Sequence, residues 1–365
     1  MKKNIRNIVC IAMALLISVS LAACGSGNGG AGGASAGNAS SANSAGASTA
    51  NSAGASTANS AGASANAPDA TFKLAYQYGI QYLPAKIVQD QKLIQKYYPG
   101  NVEVTFQTMG SGAEINEGII SGSLDAGLVG TSVAITGVSK GVTYKVFSGI
   151  SNIPNRLVSN KESLKTLKDF TPKDKIALVS IGSIQHLLLA MAQKKQLGDA
   201  HALDTNIMGM KHPDGMQALV SGSVQAHMTT SPYDLEELEM PGMHEIPNIV
   251  EDGLPGGSLI LGVMSTKIQD ENPALAEAVR KAFAEAMSYI SDANNLDAIA
   301  EASYENEGLT KEKMLGYLQN PDTQFDAKVT GLMTLAKFMD DEDFLDGSAP
   351  TDPSAYFFDG VEHEN

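Results

Sequence analysis

Four stretches of this chain place small hydrogen-bonding residues where an amphipathic run begins: Ser111-Gly112, Thr131-Ser132, Gly182-Ser183, and Ser231 ahead of Pro232. A helix start leaves backbone N–H groups unpaired and carries a partial positive charge. Small residues there let a ligand oxygen reach the backbone, so converging helix starts can hold a sulfonate, nitrate or carboxylate without an arginine. Taken singly, such a residue is more often an ordinary N-cap than a site. What distinguishes them is that each follows a β-type run, two in each half of the folded region. Tyr76, Tyr78 and Tyr82 crowd one further turn. Their rings suit stacking on a flat heterocycle or closing over an aliphatic chain, or simply packing into a core. Gln77 among them is a candidate to orient a ligand, and Asn152, beside Pro154, is a candidate for ligand contact or for shaping a hinge.

Other chemistry is poorly supported. His186, His212 and His227 have no paired metal-ligand spacing, and His212-Pro213-Asp214 reads as a helix start with Pro in a favoured first position. Asp340-Asp341-Glu342-Asp343 lacks the spaced oxygens and turn glycine of a calcium loop and reads as a solvated helix end. No nucleophile elbow, phosphate-cradling loop or metalloprotease motif is present. The chain has two cysteines, Cys10 and Cys24, and no tryptophan. Neither an enzymatic activity nor a cofactor or metal is expected. The formal charge of −15 argues against a nucleic-acid partner.

The elements that would position these residues begin after a long leader. Lys2, Lys3 and Arg6 precede an apolar run from Ile8 to Leu21, too short for a comfortable membrane span. Leu21-Ala22-Ala23-Cys24-Gly25 follows, small residues ahead of a cysteine. Residues 24–69 are almost wholly Gly, Ala, Ser, Asn and Thr, with an eight-residue unit repeated from Asn43 and Asn51. Nothing there can form a core, so a flexible tether with an r.m.s. span of roughly 35–40 Å is expected. From Phe72, β-type runs at 72–76, 102–106, 124–129 and 142–150 alternate with helical runs at 83–97, 112–120 and 131–139. The pattern repeats with strands at 175–179, 205–210 and 224–228, and helices at 182–196, 213–220 and after Pro232. A return strand at 258–264 precedes helices at 273–292, 296–305, 311–318 and 327–340. Such series form parallel sheets with right-handed crossovers, and ligands bind beyond the carboxyl ends of the strands. Two lobes are expected, with the chain crossing near 150–158 and 253–261.

Several stretches, taken in order, resemble the nitrate/sulfonate/taurine branch of ABC-importer solute-binding proteins, a branch that includes binders of a thiamine-pyrimidine precursor. Tyr76-Gln77-Tyr78-Gly79-Ile80-Gln81-Tyr82-Leu83-Pro84-Ala85 is similar to its first strand-to-helix turn. Ile120-Ser121-Gly122-Ser123-Leu124-Asp125-Ala126-Gly127 is similar to its passage from second helix to third strand, followed by Gly130-Thr131-Ser132. Gly182-Ser183-Ile184-Gln185-His186 resembles its Gly-Ser-x-x-His start, and 226–233 lies where members carry an aromatic-rich turn ending in Pro-Tyr. The likeness spans about 72–340. It departs from the pattern at Thr230-Ser231, where sulfonate binders often carry Trp-Asp, and in offering only Arg156 and Lys211 as basic groups near the expected loops.

The resemblance implies a two-lobed periplasmic-binding-protein type II fold, each lobe a mostly parallel sheet flanked by helices. It implies a signal peptide over 1–23, lipidation of Cys24, a tether to 69, lobe 1 over 70–155, lobe 2 over 156–255, and a return strand and closing helices over 256–365. Loss of Lys2, Lys3 and Arg6 with the signal leaves the remainder three charges more acidic. The ligand residues carried over are Tyr76, Gln77, Tyr78, Tyr82, Ser111, Gly112, Thr131, Ser132, Asn152, Gly182, Ser183, His186, Ser231 and Tyr233. The expected role is capture of a small anion for a membrane permease and its ATPase, by a monomer held at the outer side of the membrane through its lipid. A pyrimidine-like ligand, or a surface sensor that does not transport, is the alternative. Pyrimidine-synthesising relatives of the fold use a histidine and a cysteine-rich segment, and the second of these is missing here.

Overall fold

The computed structural model describes residues 69–364. The signal, Cys24 and nearly all of the tether segment lie outside the described residues. Among the described residues ten strands form two five-stranded sheets. The first contains β1 (Ala70–Tyr76), β2 (Val102–Thr108), β3 (Ala126–Gly130), β4 (Tyr144–Ser151) and β10 (Ile260–Ser265), in the order β2-β1-β3-β10-β4. The second contains β5 (Asn155–Ser159), β6 (Ile176–Leu178), β7 (Ile207–Gly209), β8 (Ala226–Thr230) and β9 (His244–Ile246), in the order β7-β6-β8-β5-β9. β1 pairs in parallel with β2 and β3, whereas β10 runs antiparallel to both of its neighbours. The second sheet repeats this arrangement, with β5 as the reversed strand. Each sheet is therefore mixed. Its reversed strand is the one that enters directly from the other lobe: β5 follows β4, and β10 brings the chain back.

The inner strands β3 and β10 read as nearly unbroken apolar runs because both faces are covered. Every residue of β3 and of β8 is buried, whereas the edge strand β2 alternates. One core cluster joins Ile115, Val133 and Leu261 of the first lobe to Leu178, Ile184 and Leu188 of the second. A second fills the other face of the first sheet, where the helix Pro273–Ser291 buries Leu275, Val279 and Phe283.

The two lobes share a local design offset by one hundred residues. Helices Gly112–Ile120 and His212–Val220 lead through Ser121-Gly122-Ser123 and Ser221-Gly222-Ser223 into β3 and β8. Gly122 and Gly222 adopt φ of 72° and 76°, a region open to glycine without strain. In both copies the serine hydroxyls meet, at 3.1 and 2.9 Å. Asp125 and Gln225 then accept from the backbone N–H of Lys73 and Lys175, which tethers each turn to the neighbouring strand.

Two departures from the sequence expectation have clear causes. The helix expected over 83–97 is two helices, Leu83–Asp90 and Leu93–Tyr97, separated by Lys92 at φ 52°. In one continuous helix Leu93 would stand about 120° around the axis from Ile87. The left-handed residue resets the phase, so Ile87, Val88, Leu93 and Ile94 are all buried. The strands β5 and β9 were not expected, and each exists through its partners in the sheet rather than through its own pattern.

Candidate functional site

The carboxyl ends of strands from both sheets face one another, and the segments that follow them line a cleft. After β1, Gln77, Tyr78 and Tyr82 stand on its wall. Gln77 Nε2 donates to the Tyr82 hydroxyl at 2.9 Å and to the Leu128 carbonyl at 3.4 Å. Burial pushes the Tyr82 phenol well above its ordinary range. After β2, Gly110 and Gly112 line the cleft. Ser111 caps the helix by accepting from Glu114 N–H at 3.3 Å, and the Glu114 carboxylate accepts from Gly110 N–H at 3.1 Å. After β3, Gly130 and Val133 contribute from the start of the helix Thr131–Ser139.

The second lobe answers with Ser183, Ile184 and Gln185 after β6, and His212 after β7. Ser183 caps its helix through His186 N–H at 3.3 Å, and Gln185 Nε2 donates to Asn155 Oδ1 at 2.8 Å. His212 is the first residue of its helix. Its Nδ1 meets Thr229 Oγ1 at 2.9 Å, and its ring stacks on Tyr233 at 5.6 Å and 21°. Burial, followed by the neighbouring His227, holds the His212 imidazole well below its usual range, so it is neutral near pH 7.

The lobes are closed on each other. Ser132 Oγ donates to the Gly182 carbonyl at 2.8 Å, Thr230 Oγ1 to Gln81 Oε1 at 2.7 Å, and Ile80 N–H to the Ser231 carbonyl at 3.2 Å. Lys313 joins Glu236 at 2.5 Å and Glu239 at 2.7 Å across the same seam. The space left between the lobes is about 10 Å³, room for about one water.

The residues expected from sequence are distributed unevenly over this geometry. Gln77, Tyr78, Tyr82, Gly112 and Ser183 line the cleft. Ser132, Gly182 and Ser231 form the seam beside it, and Tyr233 backs His212. Ser111 is a buried cap, and Tyr76 lines a neighbouring pocket while stacking on Tyr82 at 6.5 Å. Three residues have other work. The Thr131 hydroxyl donates to the Ser258 carbonyl within the first lobe. Asn152 lies at the crossing from β4 to β5, its N–H on the Gln324 carbonyl at 2.9 Å. His186 accepts from Gly182 N–H at 3.1 Å, and its ring packs against Phe344 at 5.4 Å and 79°, outside the cleft lining.

Sequence reasoning missed Gly110, Gly130, Val133, Ile184, Gln185, His212 and Ile260 as lining residues. For His212 the signal was present, since it opens a helix just after a strand, but the adjacent Pro213 accounted for the motif. His212 and His227 are neighbours, rings 5.7 Å apart, whereas His186 belongs to a different cluster. Among the described residues no three His, Cys, Asp or Glu side chains converge to hold a metal. No described helix is long and apolar enough to cross a membrane.

Comparison with known proteins gives a family and a fold. The model of the NMT1-like family matches residues 65–303. The periplasmic aliphatic sulphonate-binding protein SsuA of Escherichia coli superposes with a TM-score of 0.62 at 19% identity, over 82% of this chain and 95% of that one. The alkanesulfonate-binding protein SsuA of Xanthomonas axonopodis pv. citri, bound to MOPS, gives 0.65 at 16% identity, over 80% and 99%. The periplasmic nitrate-binding protein NrtA of Synechocystis PCC 6803 gives 0.55 at 16%, over 72% and 75%. Curated protein sequences give no match. Two mixed five-stranded sheets in this order, with flanking helices, make this a periplasmic-binding-protein type II fold.

Proposed function

The chain belongs to the NMT1-like family, and from that footing we propose that it is the extracytoplasmic solute-binding component of an ABC importer, a binder and not an enzyme. The observation that carries this reading is the cleft itself: segments beyond strand ends of both lobes line one small space, and direct hydrogen bonds across the seam hold it shut. A solute that touches both lobes stabilises the closed form by its differential affinity, and the closed form is what a permease would recognise. The partners in this reading are that permease and its ATPase. The protein acts as a monomer tethered at the outer side of the membrane through a lipid on Cys24.

For the ligand, the helix starts at Gly112, Thr131, Ile184 and His212 supply backbone donors and partial positive charge at the cleft. This supports a small anion of the sulfonate, taurine or nitrate class. A pyrimidine-like heterocycle is the second reading. It is favoured by the Tyr78, Tyr82 and His212 rings, and by Glu114, whose carboxylate already occupies one helix start.

A thermal-shift screen against sulfonates, nitrate, carboxylates and amino-pyrimidines tests both, because a ligand bound only by the folded state raises the melting temperature. A rise with one anion class supports the first reading, and a rise with pyrimidines alone supports the second. A rise with either class that persists undiminished in Ser183→Trp moves the site out of the cleft.

A further inference from the structure

The larger space near the site is not between the lobes. Beside the cleft, and formed by the first lobe alone, is a pocket of about 310 Å³. It is of the size that holds small ligands. It shares Gln77 and Tyr78 with the cleft, so the two spaces meet across one wall. Its charged lining is Lys86, Asp90 and Glu307, two carboxylates to one ammonium, with the Tyr76 ring beside them. Lys86 and Glu307 form an ion pair whose side chains are 13% and 4% exposed. Only one Glu307 oxygen is engaged there. Burial, then the Glu307 charge, raises the Tyr233 phenol of the second lobe.

The two spaces differ in electrical character. The cleft is ringed by helix starts, and the charged groups at its edge, the Glu114 carboxylate on Gly110 N–H and the Lys211 side chain against Gly110, are one of each sign. The pocket is net acidic and edged by tyrosines, a setting that favours an ammonium through carboxylates and ring faces. We propose that the Lys86–Glu307 pocket is a second recognition subsite, which takes the amine end of a solute whose electron-rich end sits in the cleft. The solute is then an elongated molecule with an amine at its far end, rather than a bare inorganic anion. The linkage of the two ends rests on the cleft reading given above. The amine subsite does not, because one lobe forms it.

The test separates the two. The first arm titrates the full chain with n-butylammonium and follows the tyrosine and backbone NMR signals, in the wild type and in Ser183→Trp, which blocks the cleft. Shifts centred on Tyr76, Tyr78 and Lys86 in both proteins, weakened at least fivefold in Glu307→Gln and in Asp90→Asn, are expected. No shift at those residues, or undiminished shifts in both carboxylate variants, overturns the subsite whatever the cleft binds. Glu307→Gln keeps a hydrogen-bond acceptor for Lys86, and the exposed Asp90→Asn guards against a folding defect. The second arm compares 3-aminopropane-1-sulfonate with propane-1-sulfonate by calorimetry. A preference for the amine that disappears in Glu307→Gln supports the linkage. Equal affinity for the two overturns the linkage, and failure of both sulfonates while butylammonium binds overturns the anionic cleft and leaves the subsite standing.

Discussion

Gly130 offers a clean way to hold the lobes apart. It has φ −61° and ψ 146°, a conformation open to any residue, so alanine there brings no backbone strain. Within the closed protein, however, a Cβ at 130 would stand 3.1 Å from Ile184 Cβ, 3.2 Å from its Cγ2 and 3.4 Å from its backbone nitrogen. Carbon atoms pack best at about 3.5–4.0 Å. Ile184 is buried at the first turn of its helix and has no freer rotamer that moves its own Cβ. Relief must come from the lobes moving apart by a few tenths of an ångström or more. Overpacking of this kind costs about 1–3 kcal/mol, which shifts the closed-to-open ratio roughly 5- to 150-fold. Ser132→Ala provides a second, milder perturbation of the same equilibrium. It removes the 2.8 Å hydrogen bond to the Gly182 carbonyl, worth about 1 kcal/mol or roughly fivefold. Glu117 and Gln217 are exposed, on the helices that approach the cleft from opposite lobes. Both native cysteines lie within the first 24 residues, so labels introduced at 117 and 217 report without competition from the folded part. Pulsed electron–electron distance measurement should show the short-distance population falling in Ser132→Ala and falling further in Gly130→Ala, with little change in melting temperature. An unchanged distance distribution in Gly130→Ala would refute the assignment of Gly130–Ile184 as the contact that sets closure.

Two further predictions concern the buried polar groups behind the cleft. Glu237 Oε1 meets His227 Nδ1 at 2.6 Å, and both side chains are fully buried. Burial, followed by Asp234, raises the Glu237 carboxyl to about 9, and burial lowers His227 to about 3, so both are neutral at pH 7. A carboxyl raised in the fold contributes stability below its unfolded pKa, near 4.5, that is lost as pH climbs toward 9. The melting temperature should therefore fall from pH 5 to 9 more steeply in the wild type than in Glu237→Gln, and parallel curves would sink this assignment. Arg156 bridges the wholly buried Asp234 at 2.5 Å, and reaches Glu245 at 3.4 Å and Asp322 at 3.5 Å. Arg156→Met should cost about 3–5 kcal/mol in denaturant unfolding by leaving Asp234 without its partner, with much of the loss recovered in Arg156→Met/Asp234→Leu. A loss below about 1 kcal/mol would show that Asp234 does not depend on Arg156.

Local signals carried most of the elements. The helices Thr131–Ser139 and Lys311–Leu318 lie where the apolar spacing and caps put them, and the return of β10 to the first sheet was legible from its long apolar run. β5 was not, because Asn-Arg-Leu-Val-Ser becomes a strand only between β8 and β9, some 70 and 90 residues further on. The same division holds for the site. That strand ends and helix starts would gather was readable. The fate of each hydroxyl was not. Thr131 and Ser132 are adjacent and alike in kind, yet one is taken by Ser258 of the same lobe and the other by Gly182 of the opposite lobe. His186 sits one turn into a helix that faces the cleft, but Gly182 N–H draws its ring back and Phe344, 158 residues later, covers it. No spacing rule within a helix encodes such distant partners.

The hundred-residue correspondence between the lobes gives the two walls of the cleft different surfaces. Where the first lobe has Gly110, Gly112 and Gly130, the second has Met210, His212 and Thr230 at the equivalent positions. The same turn, used twice, therefore yields a floor of bare backbone on one side and projecting side chains on the other. A Cβ at Gly110 would overlap the Lys211 stem, and one at Gly130 would press on Ile184, so the glycines receive the second lobe as it closes. In the proposed reading, the backbone donors at the helix starts of the first lobe stay open to a ligand, with the His212 and Ser183 side chains facing it from the second lobe. Two lobes carrying equal side chains at these positions would meet before the helix starts drew near. The asymmetry between the copies, rather than either copy alone, is what shapes the cleft.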